Sequence, residues 1–180
     1  MTEFITKELK LNELSPILLQ HFNRYQEVRR CLRKESGKWV LKDIAFTEQW
    51  DESIKKEIVA IDFANCINAG GFVWGVFNKN DELIAFASLL ADFFGSENQY
   101  VNLMQIHTSY EYRGNGIGKD LFKLCAEKAR QVGAKKLYIS THSAEESQYF
   151  YESVGCVDAI EINEEIAEHE PYDRQMEFVL

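Results

Sequence analysis

Residues 112 to 123 read YRGNGIGKDLFK, with three glycines in five positions ahead of a stretch whose apolar residues, Ile117, Leu121, Leu124, Cys125 and later Val132, carry helical spacing. Glycine frees the backbone for positive φ and for close approach of another group, and the first N–H groups of a helix have no internal partner. A strand over Tyr100 to Thr108 precedes this loop, Gly133 stops the helix, and a short strand over Lys136 to Ser140 follows. The chain is therefore built around a strand, glycine loop, helix, strand unit, and its fold class is α/β. Donors that converge at the positive end of a helix dipole form an anion site, and a pyrophosphate fits one. The alternative use of the same glycines is close packing of the helix on its strand.

Two familiar phosphate loops do not match. A P-loop needs G-x-x-x-x-G-K-[ST], but Gly118-Lys119 is followed by Asp120 and no glycine stands five places before Gly118. A dinucleotide fingerprint needs G-x-G-x-x-G with an acidic residue roughly 20 positions on. Here the loop is G-x-G-x-G, and the next strand ends in Ser140-Thr141-His142.

Around this unit the periodicity predicts a strand over Phe4 to Leu11 and a short helix from Ser15, with Ser15 as N-cap and Pro16 in its first turn. A hairpin follows within residues 29 to 46, turning at Glu35-Ser36-Gly37-Lys38. A long helix spans about Asp51 to Asn68, and two strands, Phe72 to Asn78 and Leu83 to Ala91, make a second hairpin. After Ser140 come a helix from Ala144 to Ser153, a strand over Val157 to Ile162, an acidic segment NEEIAEHEPYD at 163 to 173 that reads as a solvated loop or, alternatively, as a screen at the substrate entrance, and a last strand from Asp173 to Leu180. With no repeat, no low-complexity tract and only two prolines, the 180 residues fit one domain, residues 1-180, that buries roughly 70% of its unfolded surface.

The loop Arg113-Gly114-Asn115-Gly116-Ile117-Gly118, with Tyr112 and a strand before it, resembles the R-x-x-G-x-G acetyl-coenzyme A signature of the GNAT superfamily of N-acetyltransferases. FYESVGC at 150 to 156 resembles the F-Y-x-x-x-G-F helix end of the same superfamily, at the usual spacing from the first motif, and the likeness covers about residues 72 to 180. It implies a mixed, mostly antiparallel sheet flanked by helices, here with an extra N-terminal hairpin. The implied reaction is transfer of acetyl from acetyl-coenzyme A to a primary amine by direct attack through a tetrahedral intermediate. The main chain of Ile106, His107 and Thr108 would hold the pantetheine arm as an added strand and offer N–H groups to the developing oxyanion. Arg113, Gly114, Asn115, Gly116, Ile117 and Gly118 would cradle the pyrophosphate.

Tyr151 matches the family tyrosine that protonates the leaving thiolate. An asparagine common near the start of that helix is Ala144 here, so Ser143 is the expected substitute as coenzyme contact or helix cap. The superfamily has no fixed general base. His107, in the acetyl-binding strand, is the first candidate and His142 the second. The acceptor side is expected to include Tyr25, Trp39, Phe46 and Trp50 with Glu27, Asp43 and Glu48, a set suited to a cation or, equally, to a small core over the long helix.

The formal charge of -9, with no larger basic cluster than Arg29, Arg30, Arg33 and Lys34, disfavours a nucleic-acid partner and leaves a small cationic amine as the expected acceptor. Cys31, Cys66, Cys125 and Cys156 stand apart, with no metal-binding spacing, so no metal is expected. Neither a signal peptide nor a membrane-spanning stretch is legible, which makes the cytoplasm the expected compartment. A homodimer is compatible with the resemblance. The rival functions are acetylation of a protein or peptide and non-catalytic sensing of an acyl-coenzyme A.

Overall fold

The computed structural model describes residues 4–180. Strand β1 (Ile5–Glu8) comes first, and β2 (Gln26–Glu35) and β3 (Lys38–Glu48) then form a separate two-stranded hairpin. Its connecting residues, Ser36 and Gly37, have φ of 49° and 79°, the pair of positive values that a two-residue hairpin loop needs. The helical run α1 is α-helical at Glu52–Glu57 and Ala64–Asn68 and π-helical at Ile58–Phe63 between them. Asp51 caps its start by accepting from the Ile54 N–H at 2.8 Å. The rest of the chain supplies β4 (Phe72–Phe77), β5 (Leu83–Leu89), β6 (Tyr100–Thr108), α2 (Ile117–Gln131), β7 (Lys136–Thr141), α3 (Glu145–Ser153), β8 (Val157–Asp158), α4 (Glu164–His169) and β9 (Arg174–Val179).

Seven strands form one sheet in the order β1-β4-β5-β6-β7-β9-β8. Among the described residues only the β6–β7 pair is parallel, as expected of strands joined through a helix. Every residue of β5 is buried, because helices cover both faces of the sheet. On one face α1 sets Ile58, Val59, Phe63 and Cys66 against Phe22, Val73, Phe77 and Phe86. On the other, α2 presents Leu121, Phe122, Cys125, Ala126 and Ala129, a helical stripe, to Ala85, Ala87, Leu103 and Leu137. Each large apolar side chain so buried stabilises the fold by roughly 1.5–3 kcal/mol.

The sheet is open at its centre. Strand β7 pairs with β6 only at Tyr100↔Lys136, Val101↔Leu137 and Asn102↔Tyr138, and beyond Asn102 the two strands part. On its other side β6 stays paired with β5 up to Thr108, except for a bulge: Gln105 faces Ser88 and Leu103 faces Leu89, so Met104 is left over.

Four expectations need correction. Residues 16–21 form turns rather than a helix from Ser15. Their bonds are of the i→i+3 kind, Leu18 N–H to Ser15 O at 2.9 Å and Phe22 N–H to Leu19 O at 3.0 Å, and bury Leu19 and Phe22 without a full helical ladder. The first strand is shorter than predicted. The strand over 157 to 162 stops after Asp158, because Ile160 N–H turns to the Glu177 carboxylate at 3.1 Å. The acidic loop contains α4, capped by Asn163, whose Oδ1 accepts from the Ile166 N–H at 3.1 Å.

Candidate active site

The gap between β6 and β7 is a cleft of about 640 Å³, lined by β6, the glycine loop, and the starts of α2 and α3. In an antiparallel pair the main-chain groups of alternate residues face the partner. Ser109 N–H bonds to Ile84 O at 2.8 Å, and the register Phe86↔His107 and Ala87↔Ile106 then fixes the alternation. The main chain of His107 faces β5, whereas that of Ile106 and Thr108 faces the cleft, where β7 is absent. Thr108 O takes the Arg113 Nε–H at 3.0 Å, which leaves the Ile106 N–H and C=O and the Thr108 N–H free for an extended ligand.

The glycine loop closes one end of the cleft. Gly114 and Gly116 have φ of 78° and 80°, and a Cβ at either would meet no protein atom within 4 Å, so these glycines serve conformation and the space in front of them belongs to no side chain. Gly118 differs: its Cβ would lie 3.2 Å from Phe150 Cε2, so it lets α2 approach α3. Gly116 is the N-cap of α2, and the first helical bond is from Asp120 N–H to Gly116 O, which leaves the N–H groups of Ile117, Gly118 and Lys119 without helical acceptors. The side chains of Arg113 and Asn115 brace the loop, Arg113 through Thr108 O and Arg24 O, Asn115 through Tyr112 O at 3.0 Å. A donor-rich turn at a helix start, next to a free strand edge, fits a ligand with an anionic end and an amide-bearing arm.

Tyr151 lines the same cleft from α3, its ring packed edge-on against Phe150 at 5.0 Å and Phe122 at 6.4 Å. Its hydroxyl makes no hydrogen bond among the described residues. Burial raises its pKa well above that of an ordinary phenol, so it stays protonated.

His107 also lines the cleft, yet its ring lies against Trp50 at 4.9 Å and Phe86 at 5.3 Å. Burial, with Arg24 and Arg113 nearby, pushes it down to about 3, so the imidazole is neutral and a poor proton acceptor. That environment does not suit the base role expected of it.

The hairpin accounts for several departures from expectation. Val28 and Cys31 of β2 bury Ala144 completely, and Cys31 and Ala144 form an antiparallel bridge. An asparagine at position 144 would therefore sit in a small apolar core. Ser143 does not take its place: its Oγ accepts from Arg33 at 3.0 Å, its C=O accepts from the Leu32 N–H at 2.8 Å, it gives α3 no cap, and it stands outside the cleft wall. Ser143 thus anchors the hairpin.

The expected acceptor aromatics are also distributed otherwise. Trp50 stacks on Phe22 at 5.7 Å and belongs to the α1 core, Trp39 lies beneath Arg174 at 5.8 Å, and Tyr25 packs on Tyr110 at 5.3 Å. Glu27 and Asp43 are exposed. Phe46 faces His142 at 6.2 Å, and Glu48 is the carboxylate of this group that reaches the cleft's surroundings. It accepts from Arg24 at 2.7 Å and contacts His142 Nε2 at 3.1 Å.

His142 Nδ1 accepts from the Ala144 N–H at 3.2 Å, so both of its nitrogens are engaged. The Glu48 hydrogen bond raises the His142 pKa above its ordinary value, and replacing Glu48 by Gln is expected to lower the His142 midpoint in an NMR titration. By linkage the pair stabilises the fold fully between the ordinary carboxylate and ordinary histidine pKa values, and loses that contribution as pH rises through the raised His142 value or falls through the lowered Glu48 one.

Two acidic residues in the cleft wall escaped sequence reasoning, Glu146 and Asp173. Asp173 lay inside what reads as a solvated acidic loop. Only the turn of chain from α4 into β9 brings it to Ser140 Oγ, 3.3 Å away.

A mixed sheet that opens beside a bulged strand, with a donor-rich glycine turn at the end of the gap, is the layout that the resemblance to coenzyme-binding acyltransferases implies. The model of the Acetyltransferase (GNAT) family matches residues 27–156, and the chain belongs to that family of acetyl-coenzyme A-dependent acetyltransferases. The match starts earlier than residue 72, taking in the hairpin, and stops before the last two strands. A search of curated proteins finds no match. Among solved structures, a Bacillus anthracis str. Ames protein assigned as a streptothricin acetyltransferase, in complex with acetyl coenzyme A, aligns over 99% of both chains at 14% identity with a TM-score of 0.72. Nourseothricin acetyltransferase aligns over 99% of both chains at 14% identity with a TM-score of 0.70. AtaT complexed with acetyl-methionyl-tRNAfMet aligns over 98% of this chain and 95% of its own at 13% identity with a TM-score of 0.61. At these identities the likeness is one of fold. Among the described residues no helix is long and apolar enough to cross a membrane, and no cluster of metal-binding side chains is found.

Proposed function

We propose that this chain acetylates the amine of a small cationic molecule. The observation that carries the reading is the free edge of β6 beside the glycine turn, one site for an extended arm and an anionic end, with Tyr151 in the same cleft. Acetyl-coenzyme A, when bound, supplies an activated acetyl thioester. The protein's part is to hold the donor's arm on the main chain of Ile106 and Thr108, to meet its phosphates with the N–H groups of residues 114 to 119, and to keep a proton on the Tyr151 hydroxyl for the departing sulfur. The preference for a cationic acceptor rests on Glu146 and Asp173 in the cleft wall and on the net charge of -9.

A screen with acetyl-coenzyme A tests this, with streptothricin, spermidine, lysine-containing peptides and an aminoacyl-tRNA as acceptors and free thiol release as the signal. We expect a small cation to exceed the peptides and the tRNA by about tenfold or more in kcat/KM, a difference of ~1.4 kcal/mol in transition-state binding. A preference for peptide or tRNA would overturn the acceptor class. Binding of acetyl-coenzyme A with no consumption would favour a sensor.

A further inference from the structure

We propose that Asp173 accepts the proton of the acceptor's ammonium group; the inference rests on the amine-acetylating reading above. The histidines are poorly placed for this task, since His107 is held neutral beneath Trp50 and His142 has one nitrogen against Glu48 and the other against the Ala144 N–H. Glu146, the other carboxylate of the cleft wall, is exposed in the first turn of α3 and acts electrostatically on Arg113, at the loop end.

Asp173 stands immediately before β9, where the register Thr141↔Arg174 sets it against the end of β7 and beside Ser140, His142 and Tyr151 in the cleft wall. Its one side-chain hydrogen bond among the described residues comes from Ser140 Oγ to Oδ2, at 3.3 Å. Among the described residues no lysine or arginine forms an ion pair with it: the adjacent Arg174 is committed to Asp158 at 2.6 Å and Glu152 at 2.7 Å. A half-buried carboxylate with an oxygen to spare, in the cleft that holds Tyr151, is suited to bind an ammonium group and then deprotonate it. Buried carboxylates elsewhere in the protein are already occupied, as Glu177 is by Lys136, Tyr100 and the Ile160 N–H.

In the step, an N–H bond of the ammonium breaks, an O–H bond forms on Asp173, and the nitrogen recovers its electron pair for attack. The proton then leaves from Asp173 to water at the cleft mouth, which accounts for the one proton released per amine acetylated. The surroundings set the working range. Burial lifts the Asp173 carboxyl to about 6; Glu170 and Glu48 add to the rise, while His142 and the Ser140 hydrogen bond oppose it. A base must be ionised to act, so kcat/KM should climb as pH rises through about 6.

The test is the pH profile of kcat/KM for transfer to streptothricin and to spermidine, with acetyl-coenzyme A binding followed by calorimetry. Asp173→Asn is expected to lower kcat/KM by about 10²-fold, to abolish the acidic limb and to leave acetyl-coenzyme A affinity unchanged. Asp173→Glu should restore a limb, and Ser140→Ala should move it to higher pH, an effect that loss of structure alone would not produce. Persistence of the limb and of turnover in Asp173→Asn would overturn the assignment while leaving the acetyltransferase reading intact. Transfer by the wild type to neither amine would remove that reading, and this inference with it.

Discussion

Tyr151→Phe is expected to reduce turnover by about 10²–10³-fold while leaving the affinity for acetyl-coenzyme A near that of the wild type. The ring packs between Phe122 and Phe150, and phenylalanine preserves that packing, so the substitution removes the hydroxyl alone. That hydroxyl has no partner among the described residues, and burial keeps it protonated above the ordinary phenol range. A thiolate leaving group has a pKa near ~8.5, so a protonated phenol at its side lowers the barrier by donating as the carbon–sulfur bond breaks. Because the shift is upward, no alkaline loss of activity should arise from Tyr151 in the neutral range. Single-turnover rates with saturating donor would measure the effect, and an unchanged rate would remove the acid role.

The second large effect concerns the glycine turn. Acetyl-coenzyme A at about 100 times its Kd should stabilise the wild type by ~2.7 kcal/mol, a rise of roughly 5–11 °C in Tm for a domain of this size. Gly116→Glu should lose nearly all of that ligand-dependent rise, since its carboxylate would repel phosphates received at the turn as proposed. Part of any fall in its baseline Tm will be backbone strain, about 1–3 kcal/mol for a non-glycine residue held at φ of 80°. Gly116→Asn separates the two causes. Asparagine tolerates positive φ and carries no charge, and its Cβ would meet no protein atom within 4 Å. It should fold like the wild type and retain an intermediate ligand response. An equal response in all three proteins would mean that the turn does not receive the phosphates.

What was legible in the sequence follows from how locally each feature is encoded. The turn at Ser36-Gly37, the glycine stop after α1, the glycine loop with the strand and helix that flank it, and Tyr151 all announce themselves through contiguous stretches of sequence, by special backbone conformations or short motifs. The parting of β6 from β7 after Asn102 and the bulge at Met104 have no such signature, because they arise from strands brought together over long separations. Position 144 shows the same limit. Its alanine reads as a missing functional group until the hairpin is seen to bury it beneath Val28 and Cys31. Likewise Ser143 resembles a substitute ligand only as long as Arg33, 110 residues earlier, is out of view. Asp173 was hidden by composition: among the many acids of residues 163 to 173, nothing local distinguishes the carboxylate that lines the cleft. The turns at 16–21 mark a different failure, in which Ser15, Pro16 and an apolar spacing satisfied a helix start while the chain closes only i→i+3 bonds there.

The most direct test of the account is a calorimetric titration of the purified protein with acetyl-coenzyme A. The open edge of β6 and the turn from Gly114 to Lys119 predict saturable binding of one molecule per chain, with a micromolar Kd that rises with salt as the phosphates are screened. Absence of binding would mean that the cleft is not a coenzyme site, and the functional reading built on it would fail.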